Sequence, residues 1–279
     1  MTDKYAVIGN PIAHSKSPLI HSMFAAQTGQ DISYETILAP LDGFAATVER
    51  LRKEDYKGCN VTVPFKLQAF NLTPFGKQQA QDANAANTLT FEGNKIIANN
   101  TDGIGLVRDI EQNLGFSLQG KRVLLMGAGG AARGIQMPLV LAKVQRLVIA
   151  NRTFEKAKEM EEEVLMYGHK HYGKLFDVEI AARNYSDLGD EQFDIVINAT
   201  SSGLTDEMPP LPTDIFAPGA LAYDMMYGRE TPFMRFAREQ GAQVADGLGM
   251  LVEQAAEAFC IWRGVSPDTA PVIAALRNR

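Results

Sequence analysis

The chain has 279 residues, 46% of them hydrophobic and 22% charged, a composition typical of a globular protein long enough for two domains. Its formal net charge of -6, without a run of five basic residues or an apolar run of roughly 20, argues against nucleic-acid and membrane partners. The N-terminus lacks a signal-peptide pattern, and Cys59 and Cys260 lack metal or redox spacing, so we expect buried, reduced thiols in a cytoplasmic protein.

Strand and helix signals alternate through the first hundred residues. The pattern predicts strands at residues 5–8, 33–38 and 58–63, helices at 17–29 and 43–53, and a further helix that begins at 66. Ser17 and Pro18 suit the N-cap and the first position of the first helix. Residues 88–99 contain a Glu-Gly-Asn turn that predicts a hairpin, and the polar residues 100–103 mark a domain boundary.

The same alternation continues after residue 104 and predicts a parallel, doubly wound sheet. Strands are expected at 123–126, 147–151, 194–198, 220–224 and 243–245, with helices at 154–166, after Gly249, and at 268–276. His169 and His171 fall in a stretch without a readable motif, where we expect a solvated loop and not a metal site. Periodicity alone does not assign the C-terminal helices to either domain.

A glycine-rich turn, VLLMGAGGAA at residues 123–132, is the most informative local feature. An apolar strand enters the turn, and helix-forming residues follow it. Gly127 permits a tight turn, Gly129 lets the backbone approach a pyrophosphate, and Ala132 lets the helix pack close to the strand. The stretch therefore predicts dinucleotide binding at a helix N-terminus. The alternative is a turn that needs glycine only for packing.

The residues after the second strand of this predicted unit indicate which dinucleotide is bound. An NAD-binding unit carries Asp or Glu there to accept the ribose 2′-hydroxyl. This chain has Asn151, Arg152 and Thr153 instead. Because a guanidinium attracts a 2′-phosphate and a carboxylate repels it, the sequence favours NADP over NAD.

Polar residues at the ends of other predicted strands are further candidates, since ligands of open α/β sheets bind at carboxyl strand ends. Ser15 and Ser17 could hold a carboxylate or form a helix-capping loop. Lys66 follows a strand-ending proline, where it is either solvated or held in a half-closed cleft that makes its proton useful. Asp102 could cap a helix or pair with a lysine, and residues 198–203 suit a nicotinamide-side ribose or a cap.

Eight motifs in the same order make the chain resemble the shikimate dehydrogenase family, whose NADP-dependent members reduce 3-dehydroshikimate. The motifs are SKSP (15–18), NVTVPFK (60–66), ANT (86–88), NTDG (100–103), GAGGAAR (127–133), NRT (151–153), NATSSG (198–203) and GLGMLVEQA (247–255). The resemblance implies two α/β domains separated by a cleft. A substrate-binding and catalytic domain would comprise residues 1–103 and 248–279, and a Rossmann-type NADP domain residues 104–247.

The resemblance also implies roles for individual residues. Lys66 and Asp102 would be the catalytic pair, and no metal is expected. The substrate-binding residues would be Ser15, Ser17, Asn60, Thr62, Lys66, Asn87, Asp102, Tyr227 and Gln254. The cofactor-binding residues would be Gly127, Ala128, Gly129, Gly130, Ala131, Asn151, Arg152, Thr153, Lys156, Thr200, Met225 and Gly249. The implied partner is a small molecule, shikimate or 3-dehydroshikimate, in chorismate biosynthesis, bound by a monomer or homodimer.

Two alternatives stay open on the sequence alone. A quinate/shikimate dehydrogenase with relaxed cofactor use commonly carries Asp after the second strand, and Arg152 argues against it. A ligand sensor that keeps the fold without catalysis would not need Lys66 and Asp102, and both are present.

Overall fold

The computed structural model describes residues 2–173, 177–200 and 207–278 and divides into two compact units. The first unit comprises Met1–Gly105 and Leu251–Arg279, and the second comprises Leu106–Met250. Most of the C-terminal helical region, which periodicity left unassigned, therefore belongs to the first unit. No helix in the described ranges is both long and apolar enough to cross a bilayer.

A five-stranded mixed sheet forms the centre of the first unit. Its strands are β1 (Asp3–Gly9), β2 (Ile32–Leu38), β3 (Tyr56–Val61), β4 (Thr88–Glu92) and β5 (Lys95–Asn99). They follow the order β2-β1-β3-β4-β5, in which β1 is parallel to β2 and β3, and β4 is antiparallel to β3 and β5. The apolar residues Tyr5 to Ile8 of β1 are all buried, as expected for a strand covered on both faces.

Five helices begin in the first unit before the chain enters the second. They are α1 (Ser17–Thr28), α2 (Phe44–Lys53), α3 (Lys66–Asn71), α4 (Gln78–Ala83) and α5 (Asp102–Arg108). The short helix α4 was not predicted. The predicted N-cap of α1 is wrong by one residue: Lys16 is the cap, and Ser17 is already helical. The hydroxyl of Ser15 accepts the backbone N–H of Ser17 at 3.3 Å instead.

The third strand ends two residues earlier than predicted. β3 stops at Val61, because the carbonyl of Thr62 accepts the backbone N–H of Phe65 at 3.0 Å in a turn. This turn brings the chain directly into α3 at Lys66. Phe65 itself is fully buried and stacks on Phe44, so the turn is held by the core of the unit.

A six-stranded parallel sheet forms the second unit; the sequence predicted a parallel, doubly wound sheet with five of these strands. Its strands are β6 (Arg122–Met126), β7 (Arg146–Ala150), β8 (Glu179–Arg183), β9 (Phe193–Asn198), β10 (Phe216–Asp224) and β11 (Gln243–Asp246). The order is β11-β10-β9-β6-β7-β8, and every neighbouring pair is parallel. This is the strand order of dinucleotide-binding sheets, which bind their ligand where the order reverses, next to the first strand.

The described part of the second unit contains the α-helices α6 (Gly130–Leu141), α7 (Phe154–Tyr172) and α8 (Pro232–Glu239), and a π-helix at Asp109–Asn113. The sequence did not predict β8 or α8. The solvated loop expected around His169 and His171 is wrong, because both residues lie in the last turn of α7. Buried residues at helical spacing, Met160, Val164 and Gly168, continue the apolar face of α7 through this turn.

The two C-terminal helices are α9 (Leu248–Arg263) and α10 (Ala270–Arg277). Trp262 of α9 stacks on Tyr5 with ring centroids 4.6 Å apart and donates its indole N–H to the carbonyl of Leu89 at 3.2 Å. These contacts explain why most of α9 belongs to the first unit. Both cysteines are free; Cys59 is buried as expected, whereas Cys260 on α9 is partly exposed.

Candidate active site

The glycine-rich turn of the second unit leaves a helix N-terminus open. Gly127 follows β6 with φ at +106°, a conformation that other residues rarely adopt. Gly129 is the N-cap of α6 in extended backbone, so no side chain caps this helix. A Cβ at Gly129 would meet nothing within 4 Å. The first-turn N–H groups of α6 can therefore bind an anion, which fits a dinucleotide pyrophosphate.

Polar and cationic residues follow β7, next to the first turn of α7. Asn151 donates its side-chain N–H to the carbonyl of Thr153 at 2.9 Å, and Thr153 is the N-cap of α7 without a side-chain capping bond. Arg152 and Lys156 are exposed, and neither forms an ion pair with another described residue. Two uncompensated cations beside a helix N-terminus suit the 2′-phosphate of NADP.

The ends of β9 and β10 are joined through one buried carboxylate. Asp224 accepts hydrogen bonds from the side chains of Asn198 at 3.1 Å and Thr231 at 2.5 Å, and from the backbone of Met226 at 2.9 Å. Asn198 in turn accepts both the backbone N–H and the hydroxyl of Thr200, at 3.1 and 2.7 Å. Burial raises the pKa of Asp224. Residues 201–203, the rest of the segment predicted at 198–203, lie outside the described residues, as do residues 204–206.

The start of α9 packs on a second buried carboxylate, which the sequence did not reveal. Asp109 accepts the hydroxyl of Tyr223 at 2.6 Å and the side-chain amide of Asn113 at 3.0 Å. A Cβ added to Gly249 would lie 1.8 Å from Asp109 Oδ1, so any other residue there would have to displace this hydrogen-bonded carboxylate. Burial and the carboxylate of Asp109 raise the pKa of Tyr223 well above its usual value.

Lys66 and Asp102 form an ion pair in the first unit. The Nζ atom of Lys66 lies 2.5 Å from Oδ2 of Asp102, and the two side chains are only 15% and 6% exposed. Each residue begins a helix, Lys66 that of α3 and Asp102 that of α5. The backbone N–H of Asp102 donates to Oδ1 of Asn100 at 3.0 Å, which fixes the start of α5. The pair offers a proton donor beside a compensating carboxylate.

Asn87 connects this ion pair to Gln254. Its amide Nδ2 lies 2.9 Å from Asp102 Oδ1, 2.9 Å from Thr101 Oγ1 and 3.2 Å from Gln254 Oε1. Its Oδ1 accepts the backbone N–H of Thr101 at 2.9 Å. Four of the residues implied by the resemblance, Lys66, Asp102, Asn87 and Gln254, thus lie in one hydrogen-bonded group.

Asn60 belongs to the same group through residues that the sequence did not single out. Its Nδ2 donates to Thr88 Oγ1 at 3.1 Å, and its Oδ1 accepts the hydroxyl of Tyr34 at 2.7 Å. Tyr34 also lies beside Ser17, which favours the ionised phenol, but burial is the larger effect and raises the pKa of Tyr34 well above normal. Thr62 is half-buried after β3.

Tyr227 belongs to the second unit and is half-buried, and burial raises its pKa. In that unit the backbone N–H of Gly247 donates to the carbonyl of Met226 at 2.9 Å. A Cβ on Gly247 would lie 2.3 Å from the carbonyl oxygen of Met225. Gly247, two residues before Gly249, therefore packs directly against Met225 and Met226.

The strand order and the open N-terminus of α6 are those of a dinucleotide-binding unit, and the buried Lys66–Asp102 pair can exchange a proton with a reacting group. Relatives named Shikimate dehydrogenase (NADP(+)), 59% and 54% identical, show that the chain is an NADP-dependent oxidoreductase that acts on an alcohol group. Three family models match the chain: Shikimate dehydrogenase substrate binding domain at residues 7–89, Shikimate / quinate 5-dehydrogenase at 108–205, and Shikimate 5'-dehydrogenase C-terminal domain at 247–277. The chain belongs to the shikimate dehydrogenase family.

Individual relatives agree with this assignment over nearly their whole length. A protein of Methylobacillus flagellatus named Shikimate dehydrogenase (NADP(+)) is 59% identical over 276 residues, which cover 99% of each chain. The crystal structure of an Ael1 enzyme from Pseudomonas putida is 51% identical with a TM-score of 0.89, covering 99% of this chain and 98% of that one. Shikimate 5-dehydrogenase of Thermus thermophilus, solved with NADP(H) and shikimate, is 30% identical with a TM-score of 0.84 and 99% coverage of both.

Proposed function

We propose that this chain catalyses the reversible, NADPH-dependent reduction of 3-dehydroshikimate to shikimate, a step of aromatic amino acid (chorismate) biosynthesis. The observation that carries the proposal is the Lys66–Asp102 pair, largely buried and 2.5 Å apart, in a chain of the shikimate dehydrogenase family. Two relatives named Shikimate dehydrogenase (NADP(+)) match it over 99% and 98% of their length.

NADPH, when bound, supplies the hydride that reduces the ring carbonyl carbon of the substrate. Negative charge then develops on the carbonyl oxygen, and the ammonium group of Lys66 donates a proton to it. In the oxidation direction the amine of Lys66 accepts the hydroxyl proton. Asp102 holds the ammonium in one position and compensates its charge in a place with little solvent.

Side chains around this pair bind the substrate. Ser15 and Ser17 hold its carboxylate, and Tyr227 is a further substrate-binding residue. The ring hydroxyls are bound by Asn60, Thr62, Asn87, Asp102 and Gln254. The hydrogen bonds that join Asn60, Asn87 and Gln254 to the Lys66–Asp102 group support this division of roles.

Backbone groups of the second unit bind the cofactor pyrophosphate, and side chains select NADP. The turn from Gly127 to Ala131 offers the open N–H groups of α6. The cofactor 2′-phosphate is held by Asn151, Arg152, Thr153 and Lys156. Thr200, Met225 and Gly249 lie at the nicotinamide end.

A steady-state assay with shikimate and NADP⁺, repeated with quinate and with NAD⁺, tests the function. We expect turnover with shikimate and NADP⁺ and a much lower kcat/KM when either is exchanged. Comparable rates with quinate and NAD⁺ would instead identify a relaxed quinate/shikimate dehydrogenase. Shikimate binding without turnover would identify a ligand sensor and would contradict the catalytic role of Lys66.

We also propose that the protein acts in the cytoplasm as a monomer or homodimer, without a nucleic-acid or membrane partner. The free state of both cysteines supports a reducing compartment. Light scattering of the purified protein distinguishes monomer from homodimer, and fractionation of cells checks the compartment.

A further inference from the structure

A series of hydrogen bonds in the first unit, buried except at its Tyr34 end, runs from Tyr34 to Asp102. The hydroxyl of Tyr34 donates to Asn60 Oδ1 at 2.7 Å, and Asn60 Nδ2 donates to Thr88 Oγ1 at 3.1 Å. The hydroxyl of Thr88 donates to Asn87 Oδ1, and Asn87 Nδ2 donates to Asp102 Oδ1, both at 2.9 Å. Thr88 is fully buried at the centre of this chain.

Two backbone groups, one that can only accept and one that can only donate, determine which atom is the donor in each of these hydrogen bonds. The backbone carbonyl of Asn87 can only accept, and it lies 3.2 Å from Asn60 Nδ2. The backbone N–H of Thr101 can only donate, and it lies 2.9 Å from Asn87 Oδ1. The hydroxyl of Thr88 must therefore donate to Asn87 and accept from Asn60.

We propose that Thr88 is a positioning residue of the substrate site: its hydroxyl links the side-chain amide of Asn60 to that of Asn87, which holds Asp102 beside Lys66. This inference rests on the proposed function. Tyr34 secures the far end of the same chain, since its hydroxyl donates to Asn60.

The arrangement determines what Asn60 can offer a ligand. Both hydrogens of its Nδ2 are used, one on the carbonyl of Asn87 and one on Thr88. Its Oδ1 accepts the hydroxyl of Tyr34 and has a second lone pair, so toward a substrate hydroxyl Asn60 can act only as an acceptor. Loss of the Thr88 hydroxyl leaves one amide hydrogen of Asn60 unpaired in a buried place and breaks the link between the side chains of Asn60 and Asn87.

Kinetics of Thr88→Val and Thr88→Ser test the inference. Valine keeps the shape of threonine without its hydroxyl, so we expect kcat/KM for shikimate to fall about ten- to a hundredfold. The KM for NADP⁺ should stay within about twofold of the wild-type value, because this series of hydrogen bonds does not include the proposed cofactor-binding residues. Thr88→Ser keeps the hydroxyl and should keep most of the wild-type activity. Tyr34→Phe should reduce kcat/KM for shikimate in the same way but less.

A control variant, Thr90→Val, and an NMR measurement of amide hydrogen exchange separate the role of Thr88 from the proposed function. Thr90 lies two residues further along β4, on the same face, and Thr90→Val should leave the kinetics unchanged. In the ligand-free protein, the side-chain amide hydrogens of Asn60 should exchange slowly by NMR in the wild type and Thr88→Ser, and faster in Thr88→Val. An inactive wild type would overturn the function alone. Unchanged exchange, or wild-type kinetics in Thr88→Val, would overturn the role of Thr88.

Discussion

The candidate site of the first unit consists of side chains, whereas that of the second unit consists mainly of backbone groups. In the first unit, the site consists of side chains such as Lys66, Asp102 and Asn87, which are hydrogen-bonded to one another. In the second, it consists mainly of backbone N–H groups at the start of α6, which no side chain caps. The first is organised before a ligand arrives, and the second leaves donors unpaired for an anion.

This difference determines which substitutions matter in each unit. A side-chain site loses function when an atom is removed, because its partners are left unpaired in a buried place. A backbone site loses function when an atom is added, because a Cβ occupies space that a ligand or a packed group needs.

Removal of the Lys66 side chain should have the largest effect on the reaction. Lys66→Ala should lower kcat about 10²- to 10⁴-fold, the usual contribution of a general acid, and raise the KM for shikimate much less. Steady-state kinetics in both directions measure this. Lys57, exposed on β3, provides the control, since Lys57→Ala should leave kcat unchanged. Unchanged turnover in Lys66→Ala would contradict its catalytic role.

Addition of a Cβ should affect two glycines of the second unit in different ways. Gly249→Ala places the new carbon 1.8 Å from Asp109 Oδ1, and should lower the free energy of unfolding by about 2–4 kcal/mol. Gly129→Ala meets nothing within 4 Å and should cost less than about 1 kcal/mol, but raise the KM for NADPH. Denaturant unfolding and cofactor titration separate the two effects. Equal stability losses would contradict the contrast.

Local features of the second unit could be predicted from the sequence. The turn at Gly127 and the cations after β7 are each a short local segment, so their residue types alone indicate a phosphate site. The order of the parallel sheet agrees with the predicted doubly wound fold. The end of α7 was missed because its last turns carry His, Lys and Gly, and the spacing of Val164 and Gly168 is the only helical signal there.

Contacts between distant residues could not be predicted from composition or spacing. Lys66 and Asp102 are 36 positions apart, and only the family resemblance paired them before the structure did. Tyr223 and Asp109, separated by 114 positions, were missed altogether. Thr88 was missed because a threonine in a strand is ordinary, and its role depends on which amides the sheet brings to it.

Removal of the Arg152 guanidinium should affect cofactor choice. Arg152→Ala should raise the KM for NADPH about 10- to 100-fold, the value of a charge-assisted hydrogen bond, and leave the KM for NADH nearly unchanged. Lys158→Ala serves as a control, because Lys158 lies on α7 but pairs with Glu161 at 2.8 Å. Equal losses with both cofactors would refute contact with the 2′-phosphate.

A buried histidine in the first unit, His21, should make the stability of the protein depend on pH. His21 is fully buried and stacks on Tyr34 with ring centroids 4.1 Å apart, next to Phe24 and Trp262. Neither ring nitrogen makes a hydrogen bond of normal geometry in the described residues. Burial lowers the pKa of His21 from 6.5 to about 3, and the nearby side chain of Asn60 offsets this only in part.

Because the folded pKa lies below the unfolded one, the unfolded chain binds more protons between pH 6.5 and 3, and His21 reduces stability as the pH falls through this window. From pH 7.5 to 5 its share is about 2 kcal/mol. His21→Phe keeps an aromatic ring and removes both nitrogens, so its stability relative to wild type should rise by that amount over this range. Denaturant unfolding at both pH values measures the difference, with the exposed His14→Gln as control. A constant difference between wild type and His21→Phe would show that His21 is protonated in the folded state, or solvated, and would contradict its burial as a neutral ring.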